Sequence, residues 1–317
     1  MFTSDLASEL LDGIVAVGFE PMRRLRLAVP IAVLVVVAAT SSRWAATAPA
    51  PKPTFRVATW NIHKGADRTG TYDLNRTIDT IAMFDADVVG LQEVMRNQLE
   101  SNCDDQAAVI AEGLRARTGR PWTHVFVKGS ISDKRYCLEK ERGDDVEVEG
   151  LAVLAAEPIV SARWTHLPGR RIGLEVRLAS LPDVPVVVTH LSPMRTDQAL
   201  RARQFSSLLP WSSQRGGGIL MGDLNAEPDA GELTPVFARY RDAWVDASAR
   251  GTTRGFATGQ TRPHRVSRID YVLYAPEIDL DLESVETVDT SADGLGEVSD
   301  HNPVVATFKR PAFVETR

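Results

Sequence analysis

Polar and acidic side chains recur in this chain at the ends of strand-like apolar runs. Six short motifs share the pattern, and they are Thr59-Trp60-Asn61, Leu91-Gln92-Glu93, Thr189-His190-Leu191, Gly222-Asp223-Leu224-Asn225, Arg268-Ile269-Asp270 and Ser299-Asp300-His301. Because a β scaffold gathers strand ends on one face, the motifs are expected to form one site. Hydrolysis of a phosphate ester with a metal ion needs this mixture of groups. Hard oxygens bind the cation, a carboxylate orients or deprotonates water, and donors stabilise the developing charge.

In order and spacing, the six motifs resemble the endonuclease/exonuclease/phosphatase superfamily. The resemblance runs from about Phe55 to Phe308, which is nearly all of the chain outside its N-terminal segment. Each motif alone is a weak signal, whereas all six in order are a strong one. The resemblance implies a four-layered α/β sandwich with the active site at one end of the strands.

The apolar patterning predicts the elements that carry the motifs. Eight runs rich in Val, Ile, Leu and aromatic residues are predicted to be strands, at residues 55–60, 87–92, 151–155, 173–178, 185–189, 218–221, 268–274 and 303–308. Apolar spacings of three and four predict helices at residues 74–84, 105–118 and 197–209. Nearly continuous apolar strands are buried on both faces, which predicts two packed sheets flanked by helices. With the resemblance, the expected class is α/β, a four-layered sandwich of two mostly antiparallel β-sheets flanked by helices.

Glu93 is the main candidate for a metal ligand. It ends the apolar run 88–91, where a carboxylate is poorly placed unless it is paired or binds a cation. Mg²⁺ takes few protein carboxylates and keeps several waters, so Glu93 assisted by Asn61 and Asp300 would suffice. Mn²⁺ is the alternative ion, and a surface ion pair is the alternative role for Glu93.

Asp223 and Asn225 are candidate catalytic residues. They lie two residues apart after an apolar run, so in an extended segment their side chains would face the same way. The resemblance implies that Asp223 positions or deprotonates the attacking water and that Asn225 donates to the phosphate. The alternative is an Asx turn that ends the strand.

Two histidines complete the candidate site. The resemblance implies that Asp270 is the carboxylate partner of His301, which would fix the tautomer and stabilise the imidazolium. His301 would then stabilise or protonate the phosphate oxygens. By itself His190 fits a core histidine in an apolar strand, but the resemblance implies that it contacts the phosphate from the other side. Glu149 is a candidate for orienting His190 and for contacting the substrate.

Charge patterning gives the substrate preference. The formal net charge of −6 disfavours strong non-specific binding of polyanions by the whole molecule. However, residues 247–269 contain several arginines and no acidic residue, and Arg254, Arg262 and Arg265 are candidates for holding a second phosphate. An ordinary solvated loop is the alternative. Residues 275–300 are acidic without Lys or Arg, which predicts a solubilising surface or, alternatively, a structural Ca²⁺ site.

The first 54 residues form a predicted N-terminal leader. Arg23, Arg24 and Arg26 precede a charge-free stretch at residues 27–42, and small residues and a Pro-rich linker follow. This is the pattern of a secretory signal peptide, at about residues 22–48. The stretch is shorter than the roughly 18 residues of a spanning helix, so cleavage and secretion are expected, with an uncleaved membrane anchor as the alternative. A catalytic domain at residues 55–310 and a C-terminal tail at 311–317 follow.

Cys103 and Cys137 are the only cysteines of the chain. In an exported protein an isolated pair favours a disulfide, and no spacing of Cys or His indicates a zinc site. Two unlinked thiols in loops are the alternative.

The sequence predicts a secreted, divalent-metal-dependent phosphodiesterase, with DNA or RNA as the favoured substrate. The enzymatic alternative is a phospholipid or sphingolipid headgroup phosphodiesterase, although the exposed aromatic hairpin of secreted sphingomyelinases is absent. From another class, the alternative is a catalytically inactive binding module, which should have lost some of the motif residues. None of them is missing. No obligate protein partner is evident, and a monomer is expected.

Overall fold

The computed structural model describes residues 53–130, 137, 149–214, 216–292 and 294–310. These residues belong to one compact unit that spans residues 50–317. The predicted signal peptide and the C-terminal tail lie outside the described residues, as does the leader up to residue 52. Within the described ranges, no helix has the length and apolar character needed to cross a membrane.

The described part contains both strands and helices, with short 3₁₀ turns between some of them. The strands are β1 (Thr54–Asn61), β2 (Val88–Met95), β3 (Thr123–Ser130), β4 (Glu149–Ala155), β5 (Ile159–Leu167), β6 (Arg171–Leu178), β7 (Leu181–His190), β8 (Ile219–Asp223), β9 (Arg241–Asp242), β10 (Thr253–Gly255), β11 (Asp270–Tyr274), β12 (Asp281–Thr287) and β13 (Val304–Lys309). The helices are α1 (Leu74–Met83), α2 (Gln106–Thr118), α3 (Gln198–Ser212), α4 (Thr234–Phe237) and α5 (Ala243–Ala249). Asp73 and Asp105 cap α1 and α2 by accepting from the backbone of the first turn.

The strands form two mixed sheets. The first sheet has the order β10-β12-β13-β1-β2-β4-β3, and the second has the order β5-β6-β7-β8-β11-β9. Most neighbours run antiparallel. The parallel neighbours are β1 with β2, β10 with β12, and β7 with β8. The predicted mostly antiparallel character is confirmed.

Alternation along the strands separates three apolar layers. Val57 of β1 and Val186 of β7 point into the core between the sheets. Their neighbours Ala58 and Val187 point outward, into cores shared with α1 and α2 on one side and with α3 and α4 on the other. Because both faces of these strands are buried, the runs are almost wholly apolar. The four-layered sandwich is therefore confirmed.

All eight predicted strands and all three predicted helices are present, with ends that differ by a few residues. The prediction missed β3, β5, β9, β10 and β12, together with the short helices α4 and α5. Four of the missed strands lie at sheet edges. In β5 the burial alternates residue by residue, so polar side chains interrupt the apolar run that marks a central strand.

Two parallel strand pairs bring the motifs together. In the first sheet β1 and β2 run parallel, so Asn61 and Gln92 lie side by side, next to Glu93. In the second sheet β7 and β8 run parallel, and His190 is paired with Asp223. The C-terminal ends of parallel neighbours lie at the same end of a sheet. The polar residues that follow the apolar runs therefore meet at that end.

Candidate active site

An amide side chain links carboxylates from the two sheets. The Nδ2 atom of Asn61 donates to Oε1 of Glu93 at 3.0 Å and to Oδ2 of Asp223 at 3.3 Å. The Oδ1 atom of Asn61 accepts from the backbone N–H of His63 at 3.0 Å. A carbonyl oxygen has two lone pairs, so this bond leaves one of them on Asn61 for another donor or a cation.

Glu93 and Asn225 have left-handed backbone conformations, which residues other than glycine rarely adopt. Glu93 has φ of 54° and lies where the register of β2 and β4 shifts between Leu91 and Val94. Asn225 has φ of 51°. Strain of this kind costs on the order of 1–3 kcal/mol per residue and concentrates at functional sites. The bulge turns the Glu93 side chain out of the regular alternation of its strand.

Asp223 and Asn225 form the Asx turn that the sequence left open as an alternative. The backbone N–H of Asn225 donates to Oδ1 of Asp223 at 2.9 Å, and the Asn225 side chain donates to the Leu191 carbonyl at 3.2 Å. The two side chains are therefore placed by a turn and not by an extended strand. The turn holds one oxygen of Asp223 and leaves the other facing the site.

His301 and Asp270 form a buried hydrogen-bonded pair. His301 Nδ1 lies 2.8 Å from Asp270 Oδ2, and both side chains are about 95% buried or more. Thr261 Oγ1 accepts from the backbone N–H groups of Ile269 and Asp270, at 3.1 and 3.2 Å. This threonine therefore holds the backbone that carries the carboxylate.

Two further side chains hold the backbone of His301 near β1. Ser299 Oγ accepts from the His301 N–H at 3.2 Å and donates to the Asn61 carbonyl at 2.7 Å. Trp60 Nε1 donates to the His301 carbonyl at 2.9 Å. His301 is thus tied to the end of β1, whereas its carboxylate partner belongs to β11 in the other sheet.

Burial and mutual charge shift the pKa values of this cluster. Burial alone would lower the pKa of His301, but the carboxylates of Asp270 and Asp223 raise it to about 10. Burial, followed by repulsion from Asp270, raises the pKa of Asp223 to about 7. At neutral pH the imidazole of His301 is therefore protonated, and Asp223 is close to its titration point.

His190 reaches Asp223 from the opposite side. Its Nε2 atom lies 3.4 Å from Asp223 Oδ2, and its Nδ1 atom lies 3.2 Å from Nη1 of Arg171. A guanidinium group only donates, so Nδ1 accepts and the ring proton resides on Nε2, directed at Asp223. Burial, then the charges of Arg171 and His301, lower the pKa of His190 well below its ordinary value. The ring is therefore neutral.

From the sequence, Glu149 is a candidate for orienting His190, and Arg171 either supports the site or is ordinary solvated charge. In the structure the ring nitrogen is bound by Arg171, which lies 4.0 Å from Oε1 of Glu149. Glu149 thus adjoins the site through an arginine. Arg171 and His190 belong to adjacent strands whose register shifts between Val176 and Leu178, so no simple hairpin count from the sequence pairs them.

The donor set fits a divalent cation. Among the described residues, one group of three ionisable side chains has ligand atoms within 4.8 Å of one another, namely Asp223, Asp270 and His301. A protonated imidazole does not bind metal, so this group is better suited to proton and charge chemistry. Glu93 supplies hard oxygens beside it, whereas Asn61 presents its Nδ2 atom to Glu93 and its Oδ1 atom to the backbone of His63. The buried Oδ1 atom of Asp270 has no hydrogen-bond partner in the described part of the chain, and a cation or its water would satisfy it.

The structure divides the predicted arginines into two locations. Arg262 and Arg265 line a cleft that also includes Asn225, and Arg262 Nη2 lies 3.5 Å from Asp300 Oδ2. Arg254 lies exposed on β10, an edge strand of the first sheet. The acidic run contributes no second candidate metal group among the residues that the structure describes.

Cys103 and Cys137 are joined by a disulfide, with their Cα atoms 5.6 Å apart. The backbone N–H of Cys137 also donates to the carbonyl of Asn97. Cys103 follows the turn after β2, so the bond ties Cys137 to the region that follows Glu93.

Known proteins resemble this chain in sequence and in fold. The sequence matches the profile of the Endonuclease/Exonuclease/phosphatase family over residues 58–301. No curated protein matches the chain at a significant level.

Three solved structures illustrate the similarity. An endonuclease/exonuclease/phosphatase from Beutenbergia cavernae is 24% identical, with 82% of this chain and 72% of that chain covered and a TM-score of 0.60. The human Nocturnin catalytic domain with bound sulfate is 21% identical, with coverage of 81% and 93% and a TM-score of 0.59. D. rerio TDP2 in complex with a single-strand DNA product is 17% identical, with coverage of 81% and 100% and a TM-score of 0.56.

Proposed function

This chain belongs to the endonuclease/exonuclease/phosphatase family, and on that premise we propose that it is an exported, divalent-metal-dependent phosphodiesterase that hydrolyses DNA or RNA. One observation carries the proposal. Side chains from both sheets converge on the carboxylate of Asp223, with Asn61 and His190 within 3.4 Å of it and His301 at 3.8 Å. A carboxylate surrounded by donors at a sheet edge is suited to activating water beside a phosphate.

Asp223 is the proposed general base. Its Oδ1 atom is held by the Asn225 N–H, so Oδ2 is the atom available to a water molecule. Its pKa of about 7 lies near neutral pH, where a base combines a useful deprotonated fraction with sufficient proton affinity. Asn61 donates to the same oxygen and orients it.

His301, His190 and Asn225 are proposed to stabilise charge on the phosphate. His301 is a buried imidazolium held by Asp270, and His190 presents its Nε2–H toward Asp223, beside which the phosphate would lie. Asn225 retains an amide donor besides the one bonded to Leu191. Donors fixed before the reaction stabilise the developing charge without reorganisation, which is worth several kcal/mol in a buried site.

Glu93 and Asn61 are proposed to hold Mg²⁺ or Mn²⁺, with Asp300 as a further ligand. Asp300 also pairs with Arg262, so ion binding there competes with that contact. The mixture of carboxylate and amide oxygens supports a hard divalent cation. When bound, the ion supplies positive charge to the phosphate oxygens.

Export is part of the proposal. The basic, apolar and small-residue segments of the leader support it, and so does the disulfide between Cys103 and Cys137, because disulfides persist mainly in oxidising compartments. Cell fractionation and N-terminal sequencing of the mature protein test it. Retention of residues 22–48 with membrane association would favour the anchored alternative.

A panel assay tests the reaction and its substrate. Purified protein is incubated with Mg²⁺ and either plasmid DNA, RNA, sphingomyelin or phosphoinositides, each with and without chelator. We expect chelator-sensitive cleavage of nucleic acid. Preferential release of a lipid headgroup would favour the alternative phosphodiesterase, and an inactive protein that still binds a phosphate ester would favour the binding module.

A further inference from the structure

A cleft of about 530 Å³ opens beside the proposed active site. Arg195 comes from the segment between β7 and α3, and Arg262 and Arg265 come from the loop before β11. Asn225, whose backbone binds Asp223, is also in its wall. We call the cleft lined by these three arginines and Asn225 the arginine cleft.

The acidic residues of the cleft are largely committed elsewhere. Glu232 pairs with buried Arg201 at 2.8 Å. Glu227 accepts from the Ser267 hydroxyl at 2.6 Å and from the Arg268 N–H at 3.1 Å, so its oxygens hold the loop. Asp229 is the remaining carboxylate in the lining.

The arginine side chains Arg195, Arg262 and Arg265 make few contacts with other charged or polar groups among the described residues. The structure records no hydrogen bond or ion pair between the side chain of Arg195 or Arg265 and another described residue, and both side chains are exposed. Arg262 forms an ion pair with Asp300, with 3.5 Å between Nη2 and Oδ2. Four arginines and three carboxylates line the cleft, so its lining carries a net charge of +1, and the side chains of Arg195 and Arg265 are the arginines without a partner among the described residues.

A second cavity shares Arg262 and Arg265 with the arginine cleft. This cavity of about 190 Å³ is also lined by Arg68, His264 and Asp300. Asp300, which lines this second cavity, precedes His301 in the chain. The volume of the arginine cleft lies within the roughly 300–1,000 Å³ of ligand pockets and is larger than a lone phosphate needs.

We propose that the arginine cleft holds a second phosphate of a nucleic-acid strand whose scissile phosphodiester lies at Asp223 and His301. The inference rests on the proposed function and specifies its substrate. Arginine binds phosphate through paired, charge-assisted hydrogen bonds, and each nucleotide of a strand supplies one phosphate. A choline headgroup is itself a cation, so the arginines of the cleft would repel it.

A comparison of small diesters tests the inference. Four substrates are used with Mg²⁺, namely bis(p-nitrophenyl) phosphate, a thymidine dinucleotide with one phosphodiester, the same dinucleotide with an added 5′ phosphate, and the same dinucleotide with an added 3′ phosphate. The added phosphate at one end should raise kcat/KM on the order of tenfold, as expected for one or two charge-assisted hydrogen bonds at an exposed site. Equal kcat/KM with and without it would overturn the proposal.

Variants test whether the arginines of the cleft cause the increase in kcat/KM. In Arg195→Ala and Arg265→Ala, the ratio of kcat/KM with the added phosphate to kcat/KM without it should fall toward one. Arg254→Ala is the matched control, because it removes the same charge from an exposed position of the same arginine-rich run, on β10. The control should keep the wild-type ratio. If all three variants lower the ratio alike, general charge and not the cleft is responsible, and the proposal is wrong.

Failure of the proposed function is distinguishable from failure of this inference. If neither these diesters nor the DNA and RNA of the panel assay are cleaved, the proposed reaction is wrong. Binding of a fluorescently labelled oligothymidylate in chelator then decides the inference. Weaker binding and a shallower salt dependence for Arg265→Ala than for Arg254→Ala support the cleft. Equal binding by the two variants refutes it.

Discussion

Asp270→Asn removes one charge from the centre of the proposed site while keeping the shape of the side chain. Asp270 Oδ2 lies 2.8 Å from Nδ1 of His301, and the two side chains are buried. The rise in the His301 pKa from 6.5 to about 10 corresponds to roughly 5 kcal/mol of net stabilisation of the imidazolium, to which Asp270 contributes more than Asp223. We therefore expect the substitution to lower this pKa by about 2 units.

The pH profile shows this change with a defined sign. A raised pKa means that the imidazolium persists until the pH exceeds the folded-state value, so wild-type activity that needs the cation should decline only near pH 10. In Asp270→Asn the decline should begin about 2 pH units lower. At neutral pH, loss of the anionic partner should still reduce kcat about 100-fold, because the ring is less firmly oriented.

The assay is hydrolysis of bis(p-nitrophenyl) phosphate between pH 6 and 11, together with His301→Ala and the double variant. Residues that act as one unit are non-additive, so the double variant should be scarcely worse than the worse single variant. Calorimetry with Mn²⁺ sets the metal concentration that saturates each variant, so that a lower kcat does not reflect weaker metal binding. An unshifted alkaline limb, or two losses that multiply, would refute the coupling of Asp270 with His301.

Three further predictions follow from individual contacts. Glu93→Gln should keep the fold but lower Mn²⁺ affinity and kcat together, and wild-type affinity by calorimetry would contradict its role as a ligand. Arg171→Met removes the donor to His190 Nδ1 and a charge that lowers the pKa of the ring, so nitrogen NMR should show the ring titrating at higher pH than in wild type, with a loss of kcat. An unchanged titration would contradict the contact between Arg171 and the ring. Gly222→Ala would place a Cβ 1.9 Å from the Thr189 carbonyl oxygen, at a backbone φ of 142°. Urea denaturation should show that the free energy of unfolding falls by at least about 2 kcal/mol, and wild-type stability would contradict this packing.

The central strands could be predicted because their burial is visible in composition. Strands β1 and β7 present alternate residues to two different cores, so both faces must be apolar. Edge strands such as β5 face solvent on one side, so polar residues interrupt their apolar runs. A search for continuous apolar runs therefore does not detect them. β10 is only three residues long, and its pairing with β12 depends on distant parts of the chain.

The site residues follow a similar division. The motifs predicted which side chains meet, because a polar residue that follows an apolar strand must lie where that strand ends. The structure brings Asn61, Glu93, Asp223, Asp270 and His301 together at the ends of their strands. The sequence could not predict which group fills each hydrogen-bonding position, because that depends on separations of a few tenths of an ångström.

The sequence alone was sufficient to predict the family and the layered fold, since these depend on burial and on the order of short motifs. It also named residues that the structure places close together, whose roles stay predictions. Only the tertiary structure decided that Arg171 orients His190 and that a turn places Asn225. It also separated Arg254 on an edge strand from Arg265 in the cleft. Strand register and loop path determine these contacts. Both depend on packing between residues far apart in the chain, which local composition does not record.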